Sequence, residues 1–252
     1  MESIQFEVGA KAARLIGREN ITDVDGALIE LIKNAYDADA SCVCVWIDMP
    51  FPYVPTKPDL YRLQQVMTEE DRREALSFYE EKDDEGLVQK ENLNEEDAAR
   101  LRGIFSRYNK LIVADNGTGM SVSDVKTKWM YIGTSDKEVN YTSEKGRIKT
   151  GAKGIGRFAL DKLSVTTKMF TQHRGDDLIT WEIAWDQFDN SKLLNQVTAQ
   201  LGVGDEDYCQ TVGHLLKKNF PKAFGDKYSW DNGTTIILSP IGKSGQKDYS
   251  KK

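Results

Sequence analysis

Three short segments of the chain hold the residues whose types and spacing could do chemistry. Glu30, Asn34 and Asp37 are separated by four and three positions, which places their side chains on one stripe of a helix. Residues 115–120 set a carboxylate before two glycines, and residues 151–157 form a glycine-rich loop before a second helix. Side-chain oxygens can bind Mg²⁺ or accept a proton, and glycine-rich helix starts bind phosphate through backbone N–H groups. Together, the segments predict a nucleotide site.

The first segment supplies the groups that suit phosphoryl transfer to water. Glu30 fits a general base, because this reaction needs a carboxylate within hydrogen-bond reach of the attacking water. Asn34 lies one turn later and offers a neutral oxygen to Mg²⁺, which takes only one or two protein ligands. Asp37, followed by Ala38, extends the stripe and could orient water or the nucleotide. Taken alone, the segment could equally be a surface helix with ordinary polar residues.

The second segment fits a site that selects a base. Asp115 follows the apolar run 111–114, and an ionised carboxylate only accepts hydrogen bonds. The exocyclic amine of adenine is a suitable donor, so Asp115 would favour adenine over guanine. Gly117 and Gly119, which precede Met120, allow the backbone to approach the base closely. Taken alone, the Asp-Asn-Gly sequence is also a strong turn signal.

The third segment fits a loop that binds phosphate. It consists of Gly151, Ala152, Lys153, Gly154, Ile155, Gly156 and Arg157. Its glycines can present several N–H groups at a helix start, and its basic residues, with Lys145, Arg147 and Lys149 before them, add positive charge. The loop lacks the Gly-Lys-Ser/Thr of a Walker A motif. It is not a dinucleotide fingerprint, because the glycine spacing is reversed and residues 146–150 are not a hydrophobic strand. The basic cluster could instead contact nucleic acid.

The surrounding pattern predicts the elements that position these segments. A helix capped by Thr22 or Asp23 runs to about Ala38, with its apolar stripe at Val24, Leu28, Leu31, Ile32 and Ala35. Further helices are predicted at 121–131 and 156–161, with a polar loop between them. Strands are predicted at 43–47, 111–114, 163–170, 178–185 and 234–239. This order indicates an α+β fold in which the helices and the sheet form two layers.

The negative charge of the chain is concentrated in one part of it. Residues 68–100 hold 13 acidic and 5 basic side chains, which leaves the remainder of this −6 chain near +2. They lie in a predicted insertion of two or three helices at about 50–108, either a solvated appendage or a partner-docking surface. Residues 190–231 form a second, irregular insertion. Nucleic acid is a possible partner that the charge totals do not indicate.

Composition sets the broad class of protein. A chain of 252 residues that is 39% hydrophobic can bury a substantial core, as one large domain or two small ones. No apolar run approaches the roughly 20 residues that span a membrane, and the first residues lack a signal-peptide pattern. The three cysteines, Cys42, Cys44 and Cys209, lack metal-ligand spacing, and Cys42 and Cys44 point the same way along a strand. We therefore expect a cytoplasmic protein with reduced thiols.

The three motifs, in this order, resemble those of the GHKL ATPase superfamily. Its members include gyrase-type topoisomerases, the ninety-kilodalton heat-shock chaperones, histidine kinases and MutL-type repair proteins. The resemblance covers residues 8–240, and the motifs are specific as a set. It implies ATP and Mg²⁺ as cofactors. It also implies one domain over 1–252: a two-layer α/β sandwich of the Bergerat type, with a mixed, mostly antiparallel sheet and helices on one face.

The resemblance also assigns roles to individual residues. Glu30 is the general base, Asn34 holds Mg²⁺, Asp115 selects adenine and the 151–157 loop holds the phosphates. The implied nucleotide-binding set is Asn34, Asp37, Ala38, Asp115, Gly117, Gly119, Met120, residues 151–157 and Thr234. The hydroxyl of Thr234, in a late Gly-Thr motif, would support Asp115, although a strand threonine explains that residue equally well. Residues 121–156 take the place of the ATP lid.

The resemblance leaves three functional interpretations open. An ATPase that closes or forms a homodimer on ATP would drive an effector domain, either linked to it or supplied by a partner. Residues 132–137 and 154–158 look closest to the MORC-like and MutL-like branches. The MutL and gyrase branches take a γ-phosphate lysine from a following domain, so this chain is either an excised domain or hydrolyses ATP differently. The alternatives are a nucleotide-gated binding module with negligible turnover and a histidine kinase catalytic domain. The latter fits poorly, because neither His173 nor His214 lies in a convincing phospho-acceptor helix.

Overall fold

The computed structural model describes residues 5–19, 23–133, 141–150, 156–225 and 227–241. Several residues singled out above lie outside the described residues. They are Thr22, residues 134–137, and Gly151, Ala152, Lys153, Gly154 and Ile155 of the candidate phosphate loop. The structure therefore describes the residues on either side of 151–155, Thr150 and Gly156. It describes every residue of the segments 30–38 and 115–120.

The described residues form a sheet, a hairpin and a set of mostly short helices. The helices are α1 (Ala10–Glu19), α2 (Val24–Asp37), α3 (Leu60–Val66), α4 (Glu69–Leu76), α5 (Glu95–Ser106), α6 (Val122–Asp124), α7 (Phe158–Leu163), α8 (Gln187–Asn190) and α9 (Tyr208–Leu216). The strands are β1 (Val43–Asp48), β2 (Tyr79–Lys82), β3 (Gly86–Gln89), β4 (Lys110–Asp115), β5 (Ser164–Gln172), β6 (Leu178–Ala184), β7 (Gln200–Gly204) and β8 (Gly233–Ile241). A π-helical turn at Val125–Trp129 follows α6, and 3₁₀ turns lie at Leu194–Gln196 and Pro221–Phe224.

The main sheet confirms the predicted α+β class. It has six strands in the order β1-β4-β8-β5-β6-β7, and helices pack on it. Strands β5, β6 and β7 pair antiparallel in succession. Because β8 lies between β4 and β5, the end of β4 at Asp115 is brought beside the start of β8 at Gly233. Strand β7 was not predicted, since all five of its residues are exposed and its sequence, with two glycines, lacks a buried face.

The chain divides into two compact units. One is Met1–Trp46 with Ile112–Leu238, and the other is Ile47–Leu111 with Ser239–Lys252. The predicted insertion at about 50–108 falls in the second unit, which contains α3, α4, α5 and the antiparallel hairpin β2–β3. Its core is formed by Phe51, Leu63, Met67, Ala75, Phe78, Tyr79, Leu101, Ile104 and Phe105. The hairpin was not predicted, because Tyr79–Lys82 carries three charged residues in four.

Helix α2 begins and ends close to where the sequence predicts. The side chain of Asp23 accepts a hydrogen bond from the N–H of Gly26 at 2.8 Å and caps the first turn. The predicted apolar stripe is wrong at Ile32, which is 40% exposed. The buried residues Ala27, Leu31 and Ala35 recur every four positions, so position 32 is rotated about 100° away from the buried face.

Helix α9 belongs to the second predicted insertion, yet it contributes to the core of the first unit. Tyr208, Val212 and Leu216 recur at a spacing of four and are fully buried. They form a cluster with Cys44, Ile112, Ala114, Leu178, Ala223 and Trp230. Cys42 packs against the same cluster, which confirms that the two neighbouring cysteines point the same way. Within the described residues, no helix has the length and apolar character needed to cross a membrane.

Candidate nucleotide site

The end of α2 and the 115–120 segment are in direct contact. The carbonyl oxygen of Ala38 accepts a hydrogen bond from the N–H of Thr118 at 2.8 Å. A Cβ on Gly117 would lie 2.6 Å from that oxygen and 2.9 Å from the Cβ of Ala38, which is closer than such atoms can approach. Gly117 is therefore required because the turn after Asp115 packs on the last residue of the first segment.

Gly119 must also be glycine, because it packs closely against β5. Its φ is +66°, and a Cβ there would lie 1.9 Å from the carbonyl oxygen of Gln172. The next residue, Met120, donates its N–H to the hydroxyl of Thr171 at 3.0 Å, which fastens the segment to β5. The sequence predicts that both glycines allow close approach by a base. In the structure, the close neighbours that exclude a side chain at Gly117 and Gly119 are protein atoms.

Asp115, at the end of β4, is a buried carboxylate whose pKa is raised. It is 8% exposed, its Oδ1 accepts the N–H of Gly117 at 2.8 Å, and the backbone N–H of Thr234 donates to it as well. Burial raises the pKa of Asp115 from 3.8 to about 7, and the two backbone hydrogen bonds act in the opposite direction. Near neutral pH, Asp115 is therefore balanced between a charged acceptor and a neutral carboxylic acid, and a further donor would favour the charged form.

The support from Thr234 differs from the prediction. Thr171 donates its hydroxyl hydrogen to the carbonyl oxygen of Gly233 at 3.0 Å, so in the Thr171–Thr234 hydroxyl pair, also 3.0 Å apart, Thr234 is the donor. The single hydroxyl hydrogen of Thr234 is therefore used on Thr171, and its backbone N–H supports Asp115 instead. Thr171 was not predicted, because a buried strand threonine carries no distinctive signal.

Glu30 lies where the first and third segments meet. Its Oε1 is 2.8 Å from the Nζ of Lys33, and this hydrogen bond raises the pKa of Lys33. A Cβ on Gly156 would lie 3.6 Å from the Oε2 of Glu30, so the carboxylate borders the end of the glycine-rich loop. Asn34 follows one turn later and is half-buried. Glu30 and Asn34 are thus one turn apart on the same side of α2, and Glu30 lies beside Gly156.

Asp37 fastens the beginning of the same loop. It is buried, and its Oδ1 accepts the N–H of Thr150 at 2.8 Å and lies 3.2 Å from the hydroxyl of Thr150. Thr150 immediately precedes Gly151. The sequence predicts that Asp37 orients water or the nucleotide, whereas the structure places this carboxylate oxygen on the protein backbone. Asp37 therefore holds Thr150, the residue before the loop, against α2.

Asp39 was not predicted, and it makes several contacts near the end of α2. It is 2% exposed and has a φ of +60°, a conformation that aspartate tolerates better than most residues. Its carboxylate accepts the hydroxyl of Ser143 at 2.6 Å and the N–H of Lys145 at 2.9 Å. Burial tends to raise the pKa of Asp39, but these hydrogen bonds and the charges of Arg147 and Lys145 lower it overall. Asp39 thus anchors residues 141–150.

The basic residues before the loop serve the helix rather than the loop. Arg147 donates to the carbonyl oxygens of Tyr36 at 3.2 Å and Ala40 at 2.9 Å, and its guanidinium lies over the Tyr36 ring. The Nζ of Lys145 donates to the carbonyl oxygen of Asp39 at 3.0 Å. Cations stabilise the C-terminal end of a helix, where carbonyl groups lack helical partners. The described contacts of these two residues are thus with the end of α2.

Arg157 joins the far end of the loop to the predicted lid. Its guanidinium lies over the ring of Trp129, and its Nη2 donates to the carbonyl oxygen of Lys128 at 3.0 Å. Burial lowers the pKa of Arg157 to about 10, so the group remains a cation at neutral pH. Trp129 in turn packs edge-on against Trp181 of β6. Arg157 therefore connects the start of α7 to the π-helical turn.

The anchor at Asp39 gives a first testable prediction. Replacing Asp39 by Ala removes the acceptor for Ser143 and Lys145 and leaves a β-carbon at a positive φ. We expect the free energy of unfolding to fall by about 2 kcal/mol and amide exchange in residues 141–150 to rise about tenfold or more. Hydrogen–deuterium exchange with mass spectrometry measures this directly.

The matched control is Asp39→Asn, which keeps an acceptor oxygen and tolerates the same φ. We expect it to lose less protection than the alanine variant, because only the charge and part of the hydrogen bonding disappear. Unchanged exchange over residues 141–150 in Asp39→Ala would show that this segment is held by other contacts.

Comparison with known proteins agrees with this geometry. The sequence profile of the family described as "Histidine kinase-, DNA gyrase B-, and HSP90-like ATPase" matches residues 88–210, a range that includes both the 115–120 segment and the 151–157 loop. Residues 88–210 therefore match the GHKL-type ATPases, a family that implies ATP binding and hydrolysis.

One curated relative shares a short stretch with the chain. The chain is 39% identical over 54 residues to a protein described as "Putative type II restriction enzyme HgiDII" from Herpetosiphon aurantiacus. The matched stretch is 21% of this chain and 9% of that relative, so the chain spans only a small part of the relative's length.

Proposed function

We propose that this chain binds Mg²⁺-ATP where α2, the 115–120 segment and the 151–157 loop meet, and hydrolyses it. The observation that carries the proposal is the convergence of the three motifs on one helix. Glu30 borders Gly156, Asp37 binds Thr150, and Ala38 binds Thr118. Residues far apart in sequence, at or next to the three motifs, thereby lie against one helix.

The donor set fits the proposed Mg²⁺. The side chain of Asn34 offers a hard amide oxygen, which suits Mg²⁺ better than softer metals. Within the described ranges, no group of three or more His, Cys, Asp or Glu side chains could hold a metal ion, and Mg²⁺ needs only one or two protein ligands. When bound, Mg²⁺ would neutralise phosphate charge. Asn34 is proposed to hold it.

Glu30 is proposed as the residue that accepts the proton from the attacking water. Its Oε1 is engaged with Lys33, while its Oε2 faces Gly156 at the end of the loop. The oxygen nearer the loop is the one placed to contact a water beside a phosphate. Glu30 lies on a helix that is capped at its start by Asp23 and buried along the neighbouring face, so its position is set by packing.

Selection of adenine by Asp115 gives a prediction with a definite pH sign. The charged carboxylate accepts the adenine amine, whereas the neutral acid can donate to the corresponding oxygen of inosine triphosphate. Since burial raises the pKa of Asp115 to about 7, we expect the ratio of ATP to inosine triphosphate affinity to rise as pH increases from 6 to 8. The expected rise is about tenfold or more, because one pKa unit corresponds to a tenfold change in the protonation equilibrium.

Calorimetric titrations with both nucleotides at three pH values measure this ratio. Both ligands carry the same triphosphate, so titration of the phosphates cancels from it. A ratio that does not change with pH would show that Asp115 does not contact the base.

The conformational response is also proposed. Residues 121–156 would close over the phosphates as a lid, within which Trp129 is held by Arg157, and Lys145 and Thr150 are held on α2 by Asp39 and Asp37. Closure would promote an ATP-dependent homodimer and drive an effector domain, as in MORC-like or MutL-like proteins. The restriction-enzyme description of the relative makes a DNA-acting effector one candidate. Sedimentation with a non-hydrolysable ATP analogue tests dimerisation.

A second candidate function is a nucleotide-gated binding module with negligible turnover. Phosphate release at saturating Mg²⁺-ATP distinguishes it from an ATPase, since both bind the nucleotide and only the ATPase releases phosphate above the buffer rate. Retention of radiolabelled γ-phosphate on the protein would instead favour a kinase.

A further inference from the structure

We infer that Tyr208 is a positioning residue of the adenine pocket, through which α9 holds Asp115 in place. The inference rests on the proposed function, because it concerns how the base-selecting carboxylate is oriented. It assigns a role in the nucleotide site to residues 190–231, which the sequence presents only as an irregular insertion.

The contact between Tyr208 and Asp115 is short and fully buried. Tyr208 is 0% exposed, and its hydroxyl donates to the backbone carbonyl oxygen of Asp115 at 2.6 Å. The hydroxyl of Thr235 lies 3.0 Å from the same phenol oxygen. Because the single phenol hydrogen goes to Asp115, Thr235 must be the donor in this second bond. The phenol is thus satisfied as a donor and as an acceptor, which fixes its orientation.

Asp115 is therefore held from both sides of its backbone. Its side chain accepts from the N–H groups of Gly117 and Thr234, and its main-chain oxygen accepts from Tyr208. A buried carbonyl that loses its donor costs free energy, so the chain around Asp115 would shift to recover a partner. Such a shift moves the carboxylate relative to the proposed base, although Tyr208 itself does not contact the ligand.

The contact between Tyr208 and Asp115 requires a residue without a side chain at position 233. A Cβ at Gly233 would lie 2.1 Å from the carbonyl oxygen of Asp115 and 2.9 Å from the hydroxyl of Tyr208. Any other residue at this position would therefore separate the two groups. The glycine of the Gly-Thr pair is thus needed for Tyr208 to reach Asp115, while the N–H of Thr234 reaches the carboxylate.

The start of α9 is held in a way that directs Tyr208 inward. Asp207 caps the helix by accepting the N–H of Gln210 at 3.1 Å, and the N–H of Tyr208 donates to the side chain of Gln172 at 2.9 Å. Val212 and Leu216 then anchor the same helix face in the core. Gln172 also provides the carbonyl oxygen that approaches Gly119, so one residue of β5 contacts both α9 and the 115–120 segment.

The test compares two nucleotides in one variant that lacks only the hydroxyl. Tyr208→Phe keeps the ring, and we expect its ATP affinity to fall about 3- to 10-fold, the effect of one hydrogen bond. Its affinity for inosine triphosphate at pH 8 should change less, so the ratio of ATP affinity to inosine triphosphate affinity should fall. General damage to the fold would lower both affinities together and leave their ratio unchanged. Calorimetric titration of the folded protein with each nucleotide gives the ratio.

The matched control is Val212→Ala, which lies on the same buried face of α9, one turn after Tyr208. It should lower thermal stability and keep the wild-type ratio. Thr235→Val is the second variant, and it decides the question if Tyr208→Phe does not fold. It keeps Tyr208 but removes the donor that orients the phenol. We therefore expect a smaller decrease, of about twofold, in the ratio of ATP affinity to inosine triphosphate affinity.

The possible outcomes separate this inference from the proposed function. A wild-type ratio in Tyr208→Phe, or in Thr235→Val where only that variant folds, overturns the positioning role and leaves the ATP site intact. A wild-type protein that binds no ATP, or binds both nucleotides equally, overturns the proposed function and the inference with it.

Discussion

Replacing Glu30 by Gln should lower the rate of phosphate release by a factor of about 10² to 10⁴ while ATP still binds. Glutamine has the same shape as glutamate but cannot accept the proton of an attacking water, and general-base catalysis contributes rate factors of this size. ATP affinity should stay within about threefold of wild type, since the proposed ground-state contacts to adenine come from Asp115. Single-turnover phosphate release and a separate binding titration measure the two effects independently.

Two controls isolate the loss of the base. Asp25→Asn removes a carboxylate from the first turn of the same helix, more than one turn before Glu30, and should cost only the modest interaction with the helix dipole. Lys33→Met removes the ion pair with Glu30 but keeps the carboxylate, and turnover should remain within about threefold of wild type. Wild-type turnover in Glu30→Gln would exclude Glu30 as the base.

Replacing Asp115 by Asn should abolish selective ATP binding and at the same time stabilise the protein at alkaline pH. Affinity should fall about 100-fold, because a charged acceptor for the adenine amine is lost and an amide N–H₂ group can face it instead. Stability responds in the opposite direction. Burial raises the pKa of Asp115 to about 7, so ionisation of this group costs folding free energy.

The sign of the stability effect follows from the two pKa values. Between pH 4 and pH 7, Asp115 is protonated in the folded state and ionised in the unfolded state, so wild-type stability falls as the pH rises through this range. Above pH 7 the full cost is present, and the Asp115→Asn variant avoids it, since an amide does not ionise. We expect this variant to gain about 1–3 kcal/mol at pH 8 and almost nothing at pH 4. Urea denaturation at both pH values checks this, and a loss of stability at pH 8 would contradict the burial argument.

The opposition between stability and binding at Asp115 is a common feature of binding sites. A buried carboxyl with a raised pKa is unfavourable for folding and suitable for accepting a ligand donor. The surrounding contacts from Gly117, Thr234 and Tyr208 hold it in place despite this cost. The same environment that raises the pKa therefore makes the group sensitive to one added hydrogen bond.

The elements of the site could be predicted where local signals are strong. Asp23 is a good N-cap and the apolar positions of α2 are periodic, so the helix and its polar stripe followed from the sequence. The apolar run before Asp115 likewise predicted β4. Ile32 was misassigned because several faces of α2 carry apolar residues, and only packing decides which face is buried.

What the sequence did not predict depends on contacts between distant segments. Lys145 and Arg147 lie next to a phosphate-type loop in sequence, but they bind the end of α2. Asp39 and Tyr208 carry no local signal, because their roles depend on partners more than 90 positions away. The composition of β7 does not indicate a strand. Its backbone hydrogen bonds with β6 stabilise the strand instead.

The most direct measurement is calorimetric titration of the wild-type chain with ATP at pH 8 in Mg²⁺, with inosine triphosphate as the paired ligand. A single site per chain that prefers ATP, and whose preference disappears in Asp115→Asn, is the predicted result. Absence of ATP binding at millimolar nucleotide, or equal binding of both nucleotides by the wild type, would contradict the assignment of these three segments to one adenine-nucleotide site.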